Sequence, residues 1–309
     1  MTGKIVFCFP GQGSLEQGMG QDIAEAFPEA MRVFDVGSAA SGLDLKALCF
    51  DSHVDELVET EVQQPALIAT SLAVLAALRS RGIEPDYVVG HSVGEFAALA
   101  AASSIGVEET IGLVRERGLA MSEAAQQHPG GMAAILGLED GVVERICRRI
   151  AGVWPANYNC PGQLVVSGET EAVNECCSRA EEAGARRTVK LRVSGAFHSP
   201  LVARAAERLR PAIDRVRFAE PAAPFMSTVT ARLESGHRIA PLLVDQLTAP
   251  VRFTQAASEL VREGAKTFIE VGPGNVLSGL VKRIDRTVKT IPVNSVKTLE
   301  QAEEELATA

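Results

Sequence analysis

The segment Tyr87-Val88-Val89-Gly90-His91-Ser92-Val93-Gly94-Glu95-Phe96-Ala97-Ala98-Leu99 constrains this chain more than any other. Its apolar start suits a short buried strand, and Phe96, Ala97, Leu99 and Ala100 carry the spacing of an amphipathic helix. Between them, Gly90-His91-Ser92-Val93-Gly94 fits the Gly-x-Ser-x-Gly pattern of a strand, a sharp turn and a helix. So tight a turn needs residues without Cβ on either side of the serine, and it leaves Ser92 Oγ exposed above the sheet as a nucleophile. The backbone N–H of Val93, at the start of the helix, then points where an oxyanion would form.

The same alternation of short apolar strands with helices runs through most of the chain and predicts a mostly parallel α/β sheet. Residues 5–9 read as a first buried strand. Residues 21–80 read as helices around Ile23, Ala26 and Phe27, then Leu57 and Val58, then the apolar run 66–78, which Gly82-Ile83-Glu84-Pro85 ends. A further helix is predicted over 107–126. From about residue 128 the pattern changes to strand 132–136, helix 142–150, strands 152–157 and 163–168, helix 171–183 and strand 188–193. This β-α-β-β-α-β order is ferredoxin-like, and its roughly 65 residues make a compact insertion. Cys176 and Cys177 on its second helix read as packing residues. Thereafter a helix is expected over 201–213, a strand over 225–227, helices over 241–247 and 253–264, a strand over 266–271, a helix over 276–284 and a short strand near Ile291. Residues 297–309 read as a polar, acidic tail, partly disordered.

Composition excludes several classes of function. With 46% hydrophobic and 22% charged residues over 309 positions and no low-complexity tract, the chain reads as an ordinary globular protein with a sizeable core. A net charge of −9 without a basic stripe argues against nucleic acid as a partner. A partner that is itself acidic would need a local basic patch, for which Arg186, Arg187, Lys190 and Arg192 form the densest cluster; on its own such a cluster is usually a solvated face. No uninterrupted apolar stretch of about 18 residues and no signal segment is evident, so a cytoplasmic protein that avoids membranes is expected. The six cysteines are scattered without a C-x-x-C, which suggests reduced thiols and neither disulfides nor zinc. After the first strand, Pro10-Gly11-Gln12-Gly13-Ser14 departs from both nucleotide motifs: Glu16 stands where a dinucleotide fingerprint needs glycine, and Met19 where a phosphate loop needs lysine. Gln12 then sits in a turn from which its amide could donate into a site.

A serine nucleophile needs a base, and histidine accepts its proton at neutral pH. His91 adjoins Ser92 but falls on the opposite side of the turn. Of His198, His53, His128 and His237, His198 is best placed, at a strand-to-helix boundary where Ser199 and Pro200 start a helix. No acidic residue accompanies it closely, which points to a Ser-His dyad. At 100° per residue, Arg117 falls inside the apolar arc of Ile111, Val114, Gly118, Met121 and Ala125. An arginine there must snorkel, pair with a buried carboxylate or meet a ligand.

Eight segments carry a family resemblance: Phe9-Pro10-Gly11-Gln12-Gly13-Ser14, Gln64-Pro65-Ala66, Gly90-His91-Ser92-Val93-Gly94-Glu95, Arg115-Glu116-Arg117-Gly118, Asn159-Cys160-Pro161-Gly162-Gln163, Phe197-His198-Ser199-Pro200, Gln246-Leu247-Thr248-Ala249-Pro250-Val251 and Glu270-Val271-Gly272-Pro273-Gly274. In these segments, and along nearly its whole length, the chain resembles malonyl-CoA:acyl carrier protein transacylases and the related acyltransferase domains of polyketide synthases. The resemblance implies an α/β-hydrolase-like catalytic domain of residues 1–127 and 197–309, interrupted by the ferredoxin-like insertion over 128–196. It implies that Ser92 takes the acyl group as an ester and that His198 acts as base and then acid. Gln12 and the Val93 N–H would form the oxyanion hole, and Gln246 would hold His198 through its backbone carbonyl. Arg117 would clamp the free carboxylate of malonyl, a contact that suits a planar guanidinium. His91, Asn159 and Phe197 would line the substrate site.

The implied reaction is ping-pong transfer from malonyl-CoA to the phosphopantetheine thiol of an acyl carrier protein, by a monomer with no bound cofactor or metal. The alternative is a trans-acting polyketide acyltransferase or an acyl-thioester hydrolase that uses another acyl group. Leu15, Cys160, Val202 and Phe253 depart from the residues usual at their positions in the family, and none touches the implied chemistry. Phe197 beside His198 resembles malonyl-selective members.

Overall fold

Alternation along the first strand sets up two apolar layers. In the computed structural model, which describes residues 3–53, 57 and 59–308, β1 (Lys4–Phe9) sends Phe7 and Phe9 to one face and Val6 and Cys8 to the other. All four are fully buried, as expected for a strand inside a parallel sheet covered on both sides. The sheet has six strands in the order β10-β9-β1-β2-β7-β8. Here β2 is Tyr87–Gly90, β7 Phe225–Ser227, β8 Arg232–Glu234, β9 Ala265–Val271 and β10 Lys289–Val293. Every pairing is parallel except that of β7 with the edge strand β8. The short, polar β8 was not expected, because its sequence Arg-Leu-Glu offers no apolar signal.

Helices α2 (Pro28–Ser41), α3 (Thr60–Ser80) and α5 (Val107–Gln127) pack together on the Phe7 and Phe9 side. Buried on nearly every side, α3 is apolar almost all round and shows little amphipathic character. Of the expected pair Leu57 and Val58, Leu57 is buried, and Val58 lies outside the described residues. On the opposite side α10 (Phe253–Arg262) and α11 (Val276–Ile284) cover Val6 and Cys8.

A separate antiparallel sheet has the order β4-β5-β3-β6, formed by β3 (Gly131–Leu136), β4 (Val153–Cys160), β5 (Gln163–Gly168) and β6 (Arg187–Lys190). Its helices α6 (Asp140–Cys147) and α7 (Thr170–Glu182) share a small core with it, in which Cys147, Cys176 and Cys177 are buried. Strand β4 is joined to the main chain just before α10 at Val251, whose N–H donates to the Ala156 carbonyl at 2.8 Å and whose carbonyl accepts from Tyr158 N–H at 2.8 Å.

Two expectations need correction. Residues 296–307 are the helix α12 (Val296–Ala307) and not a partly disordered tail. Its acidic composition masks the i, i+3 spacing of the buried Leu299 and Ala302, and Ser295 with Thr298 forms a capping box at its start. The helix expected at 241–247 is α9 (Gly236–Asp245), with Pro241 inside it. It starts early because the Glu220 carboxylate accepts the first-turn Gly236 N–H at 2.7 Å, a contact between segments 16 residues apart.

Candidate active site

Strand β2 ends at Gly90, and α4 (Gly94–Ala101) begins after three residues. A Cβ on Gly90 would stand 2.1 Å from the Glu95 nitrogen, and one on Gly94 2.2 Å from the Phe9 carbonyl oxygen, so only glycine lets the elbow close. Ser92 at its apex has a φ of 53°, a left-handed conformation that serine holds only under constraint from its surroundings. The turn itself supplies that constraint: Glu95 N–H donates to the Ser92 carbonyl and Gly94 N–H to that of His91, each at 3.0 Å. No acceptor among the described residues takes the Val93 N–H at the helix start.

His198 reaches this apex from a segment 106 residues further along the chain. It too has a left-handed φ, 59°, in the turn before the 3₁₀ segment Pro200–Val202, and its N–H donates to the Leu247 carbonyl at 3.1 Å. Its Nδ1 lies 2.9 Å from the Gln246 carbonyl oxygen and 3.1 Å from that of Ala249. Carbonyls only accept, so Nδ1 carries the proton and Nε2 is the acceptor for Ser92 Oγ–H at 2.8 Å. Burial lowers the His198 pKa to about 3; repulsion by Arg117 and His91 adds to this, and the two carbonyls oppose it. At neutral pH the ring is therefore uncharged and free to take a proton.

Arg117 is fully buried on α5, and of the three fates open to it, snorkelling is absent. One guanidinium nitrogen donates to Gln64 Oε1 at 2.7 Å, and the other to Gln246 Oε1 at 3.0 Å and to Ser92 Oγ at 3.1 Å. Its Nε has no hydrogen-bond partner among the described residues. Burial lowers its pKa to about 9, opposed by the charge of Glu95, so it is a cation at neutral pH. Two neutral amides thus hold this cation, aimed at the serine.

The remaining expected residues divide into two groups. Phe197, His91, Asn159 and Gln12 line the cavity into which Ser92 and His198 open. His91, expected across the turn from Ser92, thus faces the same space, and its Nε2 is 2.9 Å from Asn159 Oδ1 on β4, which ties the second sheet to the elbow. Burial lowers its pKa, and the hydrogen bond to Asn159 opposes this. The amide of Gln12 is held by two neighbouring glutamines: its Nε2 donates to Gln63 Oε1 at 2.6 Å, and its Oε1 accepts from Gln64 Nε2 at 3.4 Å. Gln246 does more than expected, since its side-chain Nε2 also donates to the Ser92 carbonyl at 3.0 Å and to the carboxylate of Glu95.

Three residues have a place in the site for which the sequence reading gave no role. Gln63 and Gln64 orient Gln12 and Arg117, and Glu95 lies beneath the elbow with no exposure. Glu95 did carry a signal, the same one as Arg117: a lone charge in the helix Gly-Glu-Phe-Ala-Ala-Leu-Ala-Ala, which is otherwise uncharged. Among the described residues no cluster of three or more His, Cys, Asp or Glu side chains could hold a metal ion.

Comparison with known proteins identifies the family. The family model described as "Acyl transferase domain" matches residues 6–305. The malonyl CoA-acyl carrier protein transacylase of Bacillus subtilis is 42% identical over 304 residues, 97% of this chain and 96% of that protein. The transacylase of the same name from Staphylococcus aureus is 37% identical over 96% of both. The crystal structure of acyl-carrier-protein-S-malonyltransferase from Bartonella henselae superposes with a TM-score of 0.94 at 37% identity, over 98% of this chain and 99% of that one. A malonyl-transacylase solved in complex with a holo type II PKS acyl-carrier protein gives the same TM-score, identity and coverage. With a family match over nearly all of its length and relatives this similar, the chain belongs to the acyl transferase family.

Proposed function

We propose that this chain transfers a malonyl group from malonyl-CoA to the phosphopantetheine thiol of an acyl carrier protein, through an ester on Ser92. The observation that carries this reading is that Ser92 Oγ lies within hydrogen-bond reach of both His198 Nε2, at 2.8 Å, and the Arg117 guanidinium, at 3.1 Å. A base and a fixed cation thus converge on one nucleophile, which suits an acyl group with a free carboxylate. His198 takes the Ser92 proton as Oγ attacks the thioester carbonyl. The oxyanion is held by the Val93 N–H and by the second N–H of the Gln12 amide, the first being taken by Gln63. The C–S bond then breaks, CoA departs with the proton from His198, and malonyl remains on Ser92. The carrier thiol gives its proton to His198, attacks the ester and restores Ser92. Arg117 meanwhile pairs with the malonyl carboxylate.

The same reading takes the large parallel sheet as an α/β-hydrolase-like domain of residues 1–127 and 197–309. Residues 128–196 are its ferredoxin-like insertion, supported by the strand order second, third, first, fourth of the small sheet. A cytoplasmic monomer goes with it, supported by six free, buried cysteines as far as location is concerned.

Intact-protein mass spectrometry after brief mixing with malonyl-CoA, acetyl-CoA or methylmalonyl-CoA tests the proposal. A malonyl adduct that needs Ser92 and disappears when holo carrier protein is added is the expected result. An adduct with another acyl group only, or CoA release without acylated carrier protein, would point instead to a different acyltransferase or to a hydrolase.

A further inference from the structure

Glu95 is a fully buried carboxylate for which acyl transfer through Ser92 and His198 has no stated use. It accepts three hydrogen bonds: from the Thr228 backbone N–H, from Thr228 Oγ1 at 2.9 Å, and from Gln246 Nε2. Burial raises its pKa, and these donors together with the Ser227 hydroxyl oppose that. The Gln246 amide stands between Glu95 and Arg117: its NH2 end faces the carboxylate, and its carbonyl end accepts from the guanidinium at 3.0 Å. Cation, amide dipole and anion are therefore in line.

We infer that Glu95 is a positioning residue for acyl selection, which fixes the orientation of the Gln246 amide and so keeps Arg117 aimed at the acyl carboxylate beside Ser92. This inference rests on the reading of Arg117 as the carboxylate clamp. A carboxylate in direct contact with Arg117 would compete with the substrate for the guanidinium. Held one amide away, Glu95 compensates part of the buried charge; Gln246 takes one N–H of the Arg117 nitrogen and leaves the N–H that faces Ser92 to a ligand. The same Gln246 NH2 donates to the Ser92 carbonyl, so one amide sets both the clamp and the elbow.

Glu95→Gln keeps shape and volume but replaces one acceptor by a donor. With its oxygen retained by Thr228, the new NH2 faces Gln246 Nε2, donor against donor. The Gln246 amide must then turn over and present its NH2 to Arg117, which loses its acceptor. The experiment measures single-turnover acylation of Ser92 by malonyl-CoA and by acetyl-CoA in the wild type, Glu95→Gln, Gln246→Met, the double variant and Arg117→Ala. The expected result is a malonyl-to-acetyl ratio lowered about tenfold in Glu95→Gln, as for loss of one hydrogen bond to a charged group. Gln246→Met should lower it similarly and the double variant no further, because both changes break one link. A ratio unchanged in Glu95→Gln, or losses that multiply in the double variant, overturns the inference. If Glu95→Gln fails to fold, Gln246→Met decides alone, and a wild-type ratio there overturns it. A ratio unchanged in Arg117→Ala removes the clamp itself and this inference with it; a ratio that collapses there but not in Glu95→Gln removes only the role of Glu95.

Discussion

Ser92 and His198, 106 positions apart, share a 2.8 Å hydrogen bond, and both hold the left-handed backbone conformation, at φ 53° and 59°. Two residues without the freedom of glycine are thus held in costly conformations at the point where they meet, as occurs where the surrounding fold over-determines a reacting pair. His198→Ala should reduce acylation of Ser92 by malonyl-CoA about 10⁴-fold or more, since nucleophile and base act as a unit, and Ser92→Ala should abolish it. Ser92→Ala and the double variant with His198→Ala should therefore be equally inert. A His198→Ala rate close to that of the wild type in rapid-quench assays would show that the two residues act separately.

The clamp should appear as a change in selectivity. Arg117→Ala removes a charge-assisted contact of about 1.5–3 kcal/mol, and so lowers the kcat/KM for malonyl-CoA roughly ten- to a hundredfold. Acetyl-CoA, which has no carboxylate to lose, should be affected far less. Equal losses for both thioesters in steady-state assays would leave Arg117 with a structural role only.

Gln12 Nε2 donates to Gln63 Oε1 at 2.6 Å through one of its two N–H groups, which leaves the other for an oxyanion. Gln12→Ala should lower kcat about 10²- to 10³-fold, the usual cost of one oxyanion donor, with little change in KM. Gln63→Ala, which frees the first N–H, should keep kcat within a few-fold. If the second variant proves as slow as the first, Gln63 is needed to place the amide, and the observed hydrogen bond is the working one.

Burial lowers the His198 pKa to about 3 in the folded protein, against about 6.5 when unfolded. As pH falls through 6.5 the unfolded chain takes up the proton first. The neutral ring therefore contributes stability that is fully present above about pH 6.5 and is lost between there and pH 3, at about 1.4 kcal/mol per pH unit. Urea unfolding at pH 7.5, 6 and 5 should show a steeper loss in the wild type than in His198→Gln, by up to one proton. Parallel curves would mean that the ring is protonated in the folded state.

The elbow tolerates no side chain at Gly94, where a Cβ would lie 2.2 Å from the Phe9 carbonyl oxygen. Gly94→Ala should cost more than about 3 kcal/mol, because the obstacle is main chain of the central strand β1 and cannot rotate away. Gly13 has a φ of 100° but open space around it, with nothing within 4 Å of where a Cβ would stand, and should lose far less on the same change. A comparison of melting temperatures distinguishes the two; an unchanged Gly94→Ala would show that the elbow can open.

The order of strands and helices, the position of the elbow and the anomaly of Arg117 were legible in the sequence, because each is a local pattern. Glycines flank a serine, apolar residues recur with period 2 or 3.6, and a cation interrupts an apolar arc. The acidic tail was misread for a related reason: its composition outweighed the short spacing of Leu299 and Ala302, which only the body of the protein makes meaningful by burying them. What tertiary structure alone decided is the set of contacts that give those residues their chemistry. It brings His198 to Ser92, turns two main-chain carbonyls onto Nδ1, points Gln12 at Gln63, and threads Arg117, Gln246 and Glu95 into one line. These partners lie 48 to 151 residues apart. Hydrogen bonds are directional and reach about 3 Å, so their geometry follows from how the sheets and helices pack and not from the spacing of residues along the chain.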